Sequence, residues 1–508
     1  MLLRRIVETS SQVADRSGRL AKTARLANLL RDAVASEIET TIAFLSGTLR
    51  QARIGVGYSL LQRVSSAPPA AESSLELADV DAALERLAGA SGKGSAKLRE
   101  ATLRELFQRA TSAEQEFLFR LLIGEVRQGA LEGVMIEAVA RAAGIEAARV
   151  RRATMLAGDL GVVARAALTE GAAGLDRFVI ELFRPVQPML AQTAEDVPQA
   201  IAQLGKAAFE IKLDGARIQV HKSGEHVLVF SRLLNEVTSA VPEVVEAARR
   251  LEVSSVILDG EAIAVRADGS PLPFQTTMRR FGRRLDVDEL KSELPLRPFF
   301  FDILFADDRA LIDEPYHRRA EILARFVPES QRPGRIITAD PDEAQGFYDR
   351  AIAAGHEGVM AKSLDAPYEA GSRGSAWLKI KAVHTLDLVV LAAEWGHGRR
   401  TGKLSNLHLG ARDPAGGFVM LGKTFKGLTD ELLEWQTGKL LELATKRDGH
   451  IVWVRPELVV EIAFNGLQAS PHYAGGLALR FARVVRYRPD KTAAEADSID
   501  TVRTLHRP

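Results

Sequence analysis

The chain has 508 residues, and its 67 lysines and arginines nearly balance 66 aspartates and glutamates, giving a formal net charge of +1. This length predicts about three domains, and the balanced charge requires any nucleic-acid surface to be local. Cysteine does not occur in the sequence, which excludes disulfides, thiolate zinc sites and a cysteine nucleophile.

The first part of the chain, to about Phe183, has the composition and spacing of helices. Apolar residues recur three and four positions apart in Arg19–Arg31 and in residues 100–109. Thr111 and Glu114 have the spacing of a capping box at the start of a further helix. The sequence therefore predicts an all-helical domain.

Because the N-terminus is polar and no run of about 18 apolar residues follows, we expect a cytoplasmic protein without a membrane span.

A glycine-rich loop at residues 89–95 interrupts these helices. It is superficially similar to a nucleotide-binding P-loop, but Gly94 follows Lys93 where Ser or Thr is required, and no strand precedes it. Its backbone N–H groups and the Lys93 ammonium could instead contact a nucleic-acid phosphate. A flexible loop without a ligand is the alternative.

After the proline-marked residues 184–191 the chain becomes β-rich. In residues 209–214 apolar and charged side chains alternate, which predicts a strand with one wet face that carries Glu210 and Lys212. A turn at Asp214 and Gly215 then leads to Arg217. Because a lysine side chain in water has a pKa of about 10.4, it needs desolvation or a nearby cation to become a nucleophile. Arg217 is a candidate for that cation, whereas the plainer alternative is an exposed turn with an ordinary surface lysine.

Further charged side chains fall on predicted strands later in this segment. Asp259 and Glu261 share one face of a largely apolar strand, where carboxylates are costly unless they are paired or bind metal. Residues 299–305 read as a buried strand from which one aromatic side chain could contact a base. Lys379 and Lys381 share a strand face opposite apolar neighbours, which fits either a solvated face or phosphate binding.

From residue 383 onward, short strands alternate with glycine-rich turns, which predicts a small barrel. Residues 394–403 are basic and glycine-rich, and residues 479–491 concentrate arginines. An oligonucleotide-binding barrel would account for both features.

The segment Lys212-x-Asp214-Gly215-x-Arg217 resembles the active-site lysine motif of covalent nucleotidyltransferases, which include DNA ligases, RNA ligases and capping enzymes. The other segments of that group follow in family order, and residues 54–57 and 116–129 resemble the helical DNA-binding domain of cellular ATP-dependent DNA ligases. The resemblance covers nearly the whole chain. It implies an all-α DNA-binding domain at 1–184, an α+β adenylation domain at 185–382 and an all-β OB-fold domain at 383–508.

The resemblance also implies roles for individual residues around ATP. Lys212 would be the adenylated lysine, and Glu210 would lie beside the adenine amine with Phe301 stacked on the base. Glu261 and Glu357 would be the carboxylates close to Mg²⁺ or Mn²⁺.

Two further groups of residues, most of them cationic, complete this set. Those that would bind ribose, the ATP phosphates or the phosphate of the nicked end are Arg217, Arg232, Arg373, Lys379 and Lys381. Those of the last motif, which would act on the departing pyrophosphate, are Arg480, Arg483, Asp490 and Lys491. Ala482 stands where DNA ligases commonly carry proline, which puts the local strand geometry in doubt, and the resemblance assigns no role to Lys362.

The implied reaction is the sealing of nicks in duplex DNA with ATP, through a lysine–AMP intermediate and an adenylated 5′-phosphate. It implies a monomer that encircles nicked DNA, associated with the nucleoid if bacterial, in repair, replication or recombination. Residues 381–387 would be the hinge between two placements of the barrel.

Other classes of protein share parts of this pattern. Capping enzymes and RNA ligases use the same lysine chemistry, but the helical N-terminal segment argues against them. A non-catalytic nucleic-acid-binding protein would explain the helices and the barrel, but not the ordered charged residues on strand faces. An NAD-dependent DNA ligase is disfavoured because its cysteine zinc module cannot exist here.

Overall fold

Ten helices, all within the described part of the chain, form the first segment. The computed structural model describes residues 1–16, 18–51, 54–126, 132–266, 269–281, 294–369, 374–397 and 400–506. The helices are α1 (Leu3–Ala14), α2 (Arg19–Arg31), α3 (Ile38–Ser46), α4 (Tyr58–Val64), α5 (Leu77–Gly89), α6 (Ser95–Arg109), α7 (Ser112–Leu122), α8 (Glu132–Ala143), α9 (Ala147–Ala157) and α10 (Leu160–Glu170). The prediction of an all-helical segment is confirmed.

Local sequence explains where these helices begin and which faces they bury. The predicted capping box at Thr111 and Glu114 is present at the start of α7, because each side chain accepts a backbone N–H of the other's turn. Phe117, Leu118 and Leu121 form the buried stripe of α7. No helix of the described ranges is long and apolar enough to cross a membrane.

The middle of the chain folds into two five-stranded sheets with helices around them. The first sheet has the order β1 (Gln192–Thr193), β10 (Trp377–Lys381), β9 (Gly358–Ser363), β2 (Ala207–Lys212) and β8 (Arg335–Thr338). The second has the order β4 (His226–Ser231), β3 (Ala216–Ser223), β5 (Ser255–Ala264), β6 (Leu296–Ala306) and β7 (Arg309–Ala310). The helices of this segment are α11 (Val197–Leu204), α12 (Pro242–Arg249), α13 (Phe274–Phe281), α14 (Tyr316–Phe326) and α15 (Pro341–Ala353).

Strands β2 and β3 are consecutive but belong to different sheets. The turn at residues 213–215 therefore carries the chain from one sheet to the other, and Lys212 and Arg217 lie on opposite sides of the space between the sheets. The predicted alternation along β2 is present, but its charged face is not wet. Glu210 is only 4% exposed, because this face forms the floor of a cavity.

The last segment is a barrel, as predicted. Its seven-stranded sheet contains β11 (His384–Trp395), β12 (Leu404–Arg412), β13 (Phe418–Thr424), β14 (Ala444–Asp448), β15 (Ile451–Val454), β16 (Val459–Phe464) and β19 (Arg483–Tyr487). A separate hairpin joins β17 (Gly466–Ala469) and β18 (Leu477–Arg480), and two helices, α16 (Asp430–Glu442) and α17 (Ile499–Leu505), complete the segment. Leu386, Leu388 and Val390 alternate into the barrel core, as period-two patterning requires.

The helical segment and the barrel segment each contact the middle segment. The apolar core of the helices continues into the second sheet at Ile257 and Leu304, and reaches Trp377 of the first sheet. Only residues 382 and 383 separate β10 from β11. The helical segment is thus packed directly against the sheets that enclose the cavity.

Candidate active site

A cavity of about 480 Å³ lies between the two sheets. Its size is that of a small-molecule site. Both sheets and the turn between β2 and β3 contribute to its walls. The site residues expected from sequence that line it are Glu210, Lys212, Arg217, Arg232, Glu261, Phe301, Lys379 and Lys381.

Strand register brings two of the lysines together. On the first sheet, Lys212 of β2 and Lys381 of β10 both lie opposite Gly358 of β9, one on each side. Gly358 has a φ of +148°, and a Cβ there would collide with the carbonyl oxygen of Ile380. Glycine is therefore required at position 358, between Lys212 and Lys381 on the neighbouring strands.

Glu357, immediately before β9, bridges the two lysines. One carboxylate oxygen binds the Lys212 ammonium and the other binds the Lys381 ammonium. Burial raises the pKa of Glu357, but the charges of Lys212 and Lys381 outweigh it and hold that pKa below its usual range. The sequence suggested an anion only for Lys379 and Lys381, and it did not indicate that Glu357 would join Lys381 to Lys212.

On the second sheet, Arg217 is bound to a buried carboxylate. Its Nε lies 3.1 Å from Asp259 Oδ1 and its Nη2 lies 2.7 Å from Asp259 Oδ2. The hydroxyl of Tyr368 donates to the same carboxylate at 2.6 Å. Burial lowers the pKa of Arg217, but Asp259 more than compensates and raises it. The sequence had suggested Arg217 as a free cation beside the Lys212 amine, and this suggestion is wrong because Arg217 is paired with Asp259. Asp259 is a buried carboxylate whose charge is satisfied by that pair.

Glu261 lies two positions after Asp259 on β5 and lines the cavity. Its Oε1 accepts the backbone N–H of Gly215 at 3.2 Å. Burial raises the pKa of Glu261 to about 7, against the opposing charges of Lys212 and Arg217. Within the described residues no group of three or more acidic or histidine side chains could hold a metal. The two carboxylates expected beside the metal, Glu261 and Glu357, offer oxygen ligands. Such a pair suits Mg²⁺, which usually keeps waters and substrate phosphates as its other ligands.

The far end of the cavity is aromatic. Phe300 is buried in the core of the second sheet, whereas Phe301 of the same strand lines the cavity. The Trp377 ring meets the Phe301 ring edge to face at a centroid distance of 6.0 Å. Sequence reasoning missed Trp377, although its place two residues before Lys379 put it on the same strand face. It also missed Tyr316, whose hydroxyl donates to Glu210.

One residue of the last motif reaches the two-sheet segment. Arg480 of the barrel donates to Asp214 Oδ2 at 3.0 Å, and its guanidinium lies 5.0 Å from the Phe274 ring centroid. Asp214 follows Lys212 by two positions, so the barrel contacts the turn that comes directly after the lysine. Ala482 is buried beyond Phe481, whose φ of +57° separates β18 from β19.

The other residues of that motif do not line the cavity. Arg483 is exposed. Asp490 pairs with Arg488 at 2.6 Å, and Lys491 pairs with Asp387 at 2.5 Å, both within the barrel segment. Arg232 is exposed at the end of β4 beside the cavity. The prediction for Arg373 lies outside the described residues.

Known proteins match this chain along most of its length. Residues 188–381 match the family described as ATP dependent DNA ligase domain, residues 400–491 match ATP dependent DNA ligase C terminal region, and residues 58–140 match DNA ligase N terminus. A protein of Anaeromyxobacter sp. (strain Fw109-5) named "Probable DNA ligase" is 58% identical over 509 residues, covering 100% of this chain and 98% of the relative. Another "Probable DNA ligase", from Mycolicibacterium gilvum (strain PYR-GCK), is 56% identical over 510 residues, covering 100% and 99%. The solved structure "Pmar-Lig_PreS3" shares the fold, with a TM-score of 0.62, 18% identity and coverage of 95% of this chain and 99% of that one.

Proposed function

Because this chain belongs to the ATP-dependent DNA ligase family, we propose that it seals nicks in duplex DNA through an adenylated Lys212. The observation that carries the proposal is the position of Lys212. Lys212 lines a cavity of nucleotide size, and its amine binds Glu357, which also binds Lys381 of β10.

The first step is an in-line displacement at phosphorus. The Lys212 ammonium first loses a proton to the Glu357 carboxylate that it binds. The amine then attacks the α-phosphorus of ATP, an N–P bond forms with release of one N–H proton to solvent, and the bond to the β-phosphate oxygen breaks so that pyrophosphate leaves. Lys379 and Lys381 neutralise the charge that builds on the phosphate oxygens, and this preorganised electrostatic stabilisation supplies much of the catalysis. Glu261 and Glu357 would hold Mg²⁺ or Mn²⁺, which supplies further charge neutralisation at the phosphates.

The later steps need DNA. The 5′-phosphate of the nick attacks the lysine adenylate to form a 5′–5′ pyrophosphate, and the 3′-hydroxyl then attacks that phosphate and releases AMP. We assign residues 1–184 to DNA binding, 185–382 to adenylation and 383–508 to the OB-fold domain of a monomer that encircles the nick. Residues 381–387 would be the hinge by which the barrel exchanges its contact at Asp214 for DNA.

A direct experiment distinguishes this function from the capping and RNA-ligase alternatives. The purified chain is incubated with labelled ATP or labelled GTP, and then with nicked duplex DNA or nicked duplex RNA. We expect the protein to become covalently labelled by ATP and not by GTP. The label should then be lost from the protein only when nicked DNA is added, and a sealed DNA product should appear. Covalent label without sealing of DNA would contradict the proposed function.

Base stacking and phosphate neutralisation should give different kinetic losses. Phe301→Ala should raise the ATP concentration for half-maximal adenylation by about tenfold to a hundredfold, since stacking contributes roughly 1 to 3 kcal/mol per base. Lys379→Ala should instead lower the maximal rate, and extra ATP should not restore it. An ATP titration of the adenylation rate measures both effects.

Melting temperature is the control for Phe301→Ala, because Phe301 also packs against Trp377. If the variant loses stability but keeps its ATP requirement, Phe301 is a packing residue and not the stacking residue.

Lys93 should contribute to DNA binding and not to adenylation. It is exposed in the loop before α6. Lys93→Ala should weaken binding to nicked DNA by a similar factor whatever the DNA sequence. It should also reduce the slope of log affinity against log salt concentration by about one. A point substitution is preferred to deletion of the helices, because Ile257 and Leu304 share their core. Fluorescence anisotropy across a salt series measures the slope.

The control for this measurement is Lys439→Ala. Lys439 is partly exposed in α16 and already pairs with Glu442 at 2.9 Å, so its removal should release little additional counterion. Equal slopes for the wild type and Lys93→Ala would show that the loop does not contact phosphate.

A further inference from the structure

Lys362 of β9 is a buried cation at the aromatic end of the cavity, and the reaction steps above give it no task. It is 1% exposed. Its Nζ lies 2.5 Å from Glu210 Oε2 and 3.1 Å from the carbonyl oxygen of Phe301. A lysine is rarely buried to this extent unless it is paired, and here its partner is the residue expected beside the base.

We propose that Lys362 is a positioning residue that fixes Glu210 and Phe301 and thereby selects a purine with a 6-amino group over one with a 6-oxo group. The inference rests on the proposed function, because it concerns the nucleotide that Lys212 accepts. It assigns to Lys362 the choice of base, and not the chemistry at phosphorus.

The argument begins with the two oxygens of Glu210. One accepts the hydroxyl of Tyr316 and the other accepts the Lys362 ammonium. Burial and the neighbouring Glu210 raise the pKa of Tyr316 well above its usual value, so its hydroxyl remains a donor. Arg335 donates to that hydroxyl at 3.3 Å. Donors on two sides therefore hold the carboxylate in one orientation.

A carboxylate paired with an ammonium offers only acceptor lone pairs to a third group. The exocyclic amine of adenine can donate to it, whereas the 6-oxo group of guanine would bring a second acceptor against it. Because Glu210 lines the cavity, its charge and orientation determine which purine is accepted. Like-charged or unpaired polar groups of this kind are effective at rejecting a wrong ligand.

Lys362 also contacts the rings that surround the base end. Its Nζ lies 4.5 Å from the Trp377 ring centroid and 4.9 Å from the centroids of Phe301 and Tyr316. These are cation–π distances. The same ammonium that holds Glu210 therefore restrains the ring proposed to stack on the base.

Lys222 is a matched lysine elsewhere in the adenylation domain. It is 4% exposed on β3, and its Nζ donates to the backbone carbonyl oxygens of Leu251 at 2.5 Å and Arg249 at 3.4 Å. Its contacts are with the backbone of a neighbouring turn and not with cavity residues. Lys222→Met thus reproduces the loss of a buried ammonium without a change at the base end.

The experiment removes the Lys362 ammonium from the protein and, separately, the 6-amino group from the purine of the nucleotide. Adenylation kcat/KM is measured for the full chain, Lys362→Met and Lys222→Met, with ATP and with purine riboside 5′-triphosphate, which lacks the 6-amino group. Lys362→Met should lower kcat/KM for ATP about tenfold to a hundredfold, the range of a hydrogen bond to a charged group. With the analogue the same substitution should have a much smaller effect, so the preference for ATP collapses. Lys222→Met should leave the preference unchanged. When GTP is measured in the same way, its kcat/KM relative to ATP should rise in Lys362→Met and should not change in Lys222→Met.

The outcomes separate this inference from the proposed function. If the wild type forms no covalent nucleotide with ATP, the proposed function fails. If the wild type is adenylated but Lys362→Met lowers both substrates equally or neither, Lys362 does not select the base. Lys362→Gln, which is neutral but polar, is measured in parallel. If Lys362→Met does not fold, the same loss of preference is expected of Lys362→Gln, and an unchanged preference would overturn the inference. Lys362→Arg, which keeps the charge, should restore part of the preference.

Discussion

Lys212→Ala should abolish covalent adenylation and leave the affinity for nicked DNA nearly unchanged. The amine is the only nucleophile proposed at the α-phosphorus, whereas it is one of many cations near the DNA. Lys212→Arg should fail equally, because a guanidinium stays protonated at any pH the protein tolerates. Mass spectrometry after incubation with ATP detects the added AMP.

Lys206→Ala is the matched control for Lys212. Lys206 is exposed immediately before the same strand, and its removal should leave adenylation intact. On DNA whose 5′-phosphate is already adenylated, Lys212→Ala should still join the ends, because that step does not use the lysine. Covalent AMP on either Lys212 variant would refute the assignment of the nucleophile.

Asp259→Ala should destabilise the protein by about 3 to 5 kcal/mol, the range for removing one partner of a buried ion pair. Asp259 is 1% exposed, and its loss leaves Arg217 with a charge between the sheets that Asp259 no longer compensates. Tyr368 also loses the acceptor of its hydroxyl. Urea denaturation, followed by a signal from the adenylation domain, measures the change.

Two variants complete the test of this pair. Asp259→Ala combined with Arg217→Met should recover much of the stability, because both charges are removed. Arg109→Ala breaks an exposed pair with Asp79 and should cost less than about 1 kcal/mol. If Asp259→Ala costs no more than Arg109→Ala, Asp259 does not compensate Arg217 in the folded protein.

Local patterns in the sequence predicted the elements and the class of chemistry. The helix Arg19–Arg31 and the capping box at Thr111 are short-range features, and helix periodicity and end chemistry lie within a few residues. The pairing of Lys379 and Lys381 on one face follows in the same way from the period of a strand. These features depend little on distant parts of the chain, which is why they could be predicted.

The contacts that give each site residue its surroundings are long-range. Lys212 and Glu357 are 145 residues apart, and Glu210 and Tyr316 are 106 residues apart. Alternation showed that Glu210 and Lys212 share a face, but it could not show whether that face meets water or a second sheet. For the same reason Lys362 had no role until the structure placed it against Glu210.

The sequence by itself therefore determined the order of the segments and the strand that carries Lys212, because periodicity is encoded within short windows. The type of reaction came from the resemblance of its motifs to a known family. The tertiary structure alone decided which charges are neighbours. It placed Arg217 on Asp259, Glu357 between two lysines and Lys362 against Glu210. Burial and pairing set the energy of each charge, and both depend on strands that meet only when two sheets pack together.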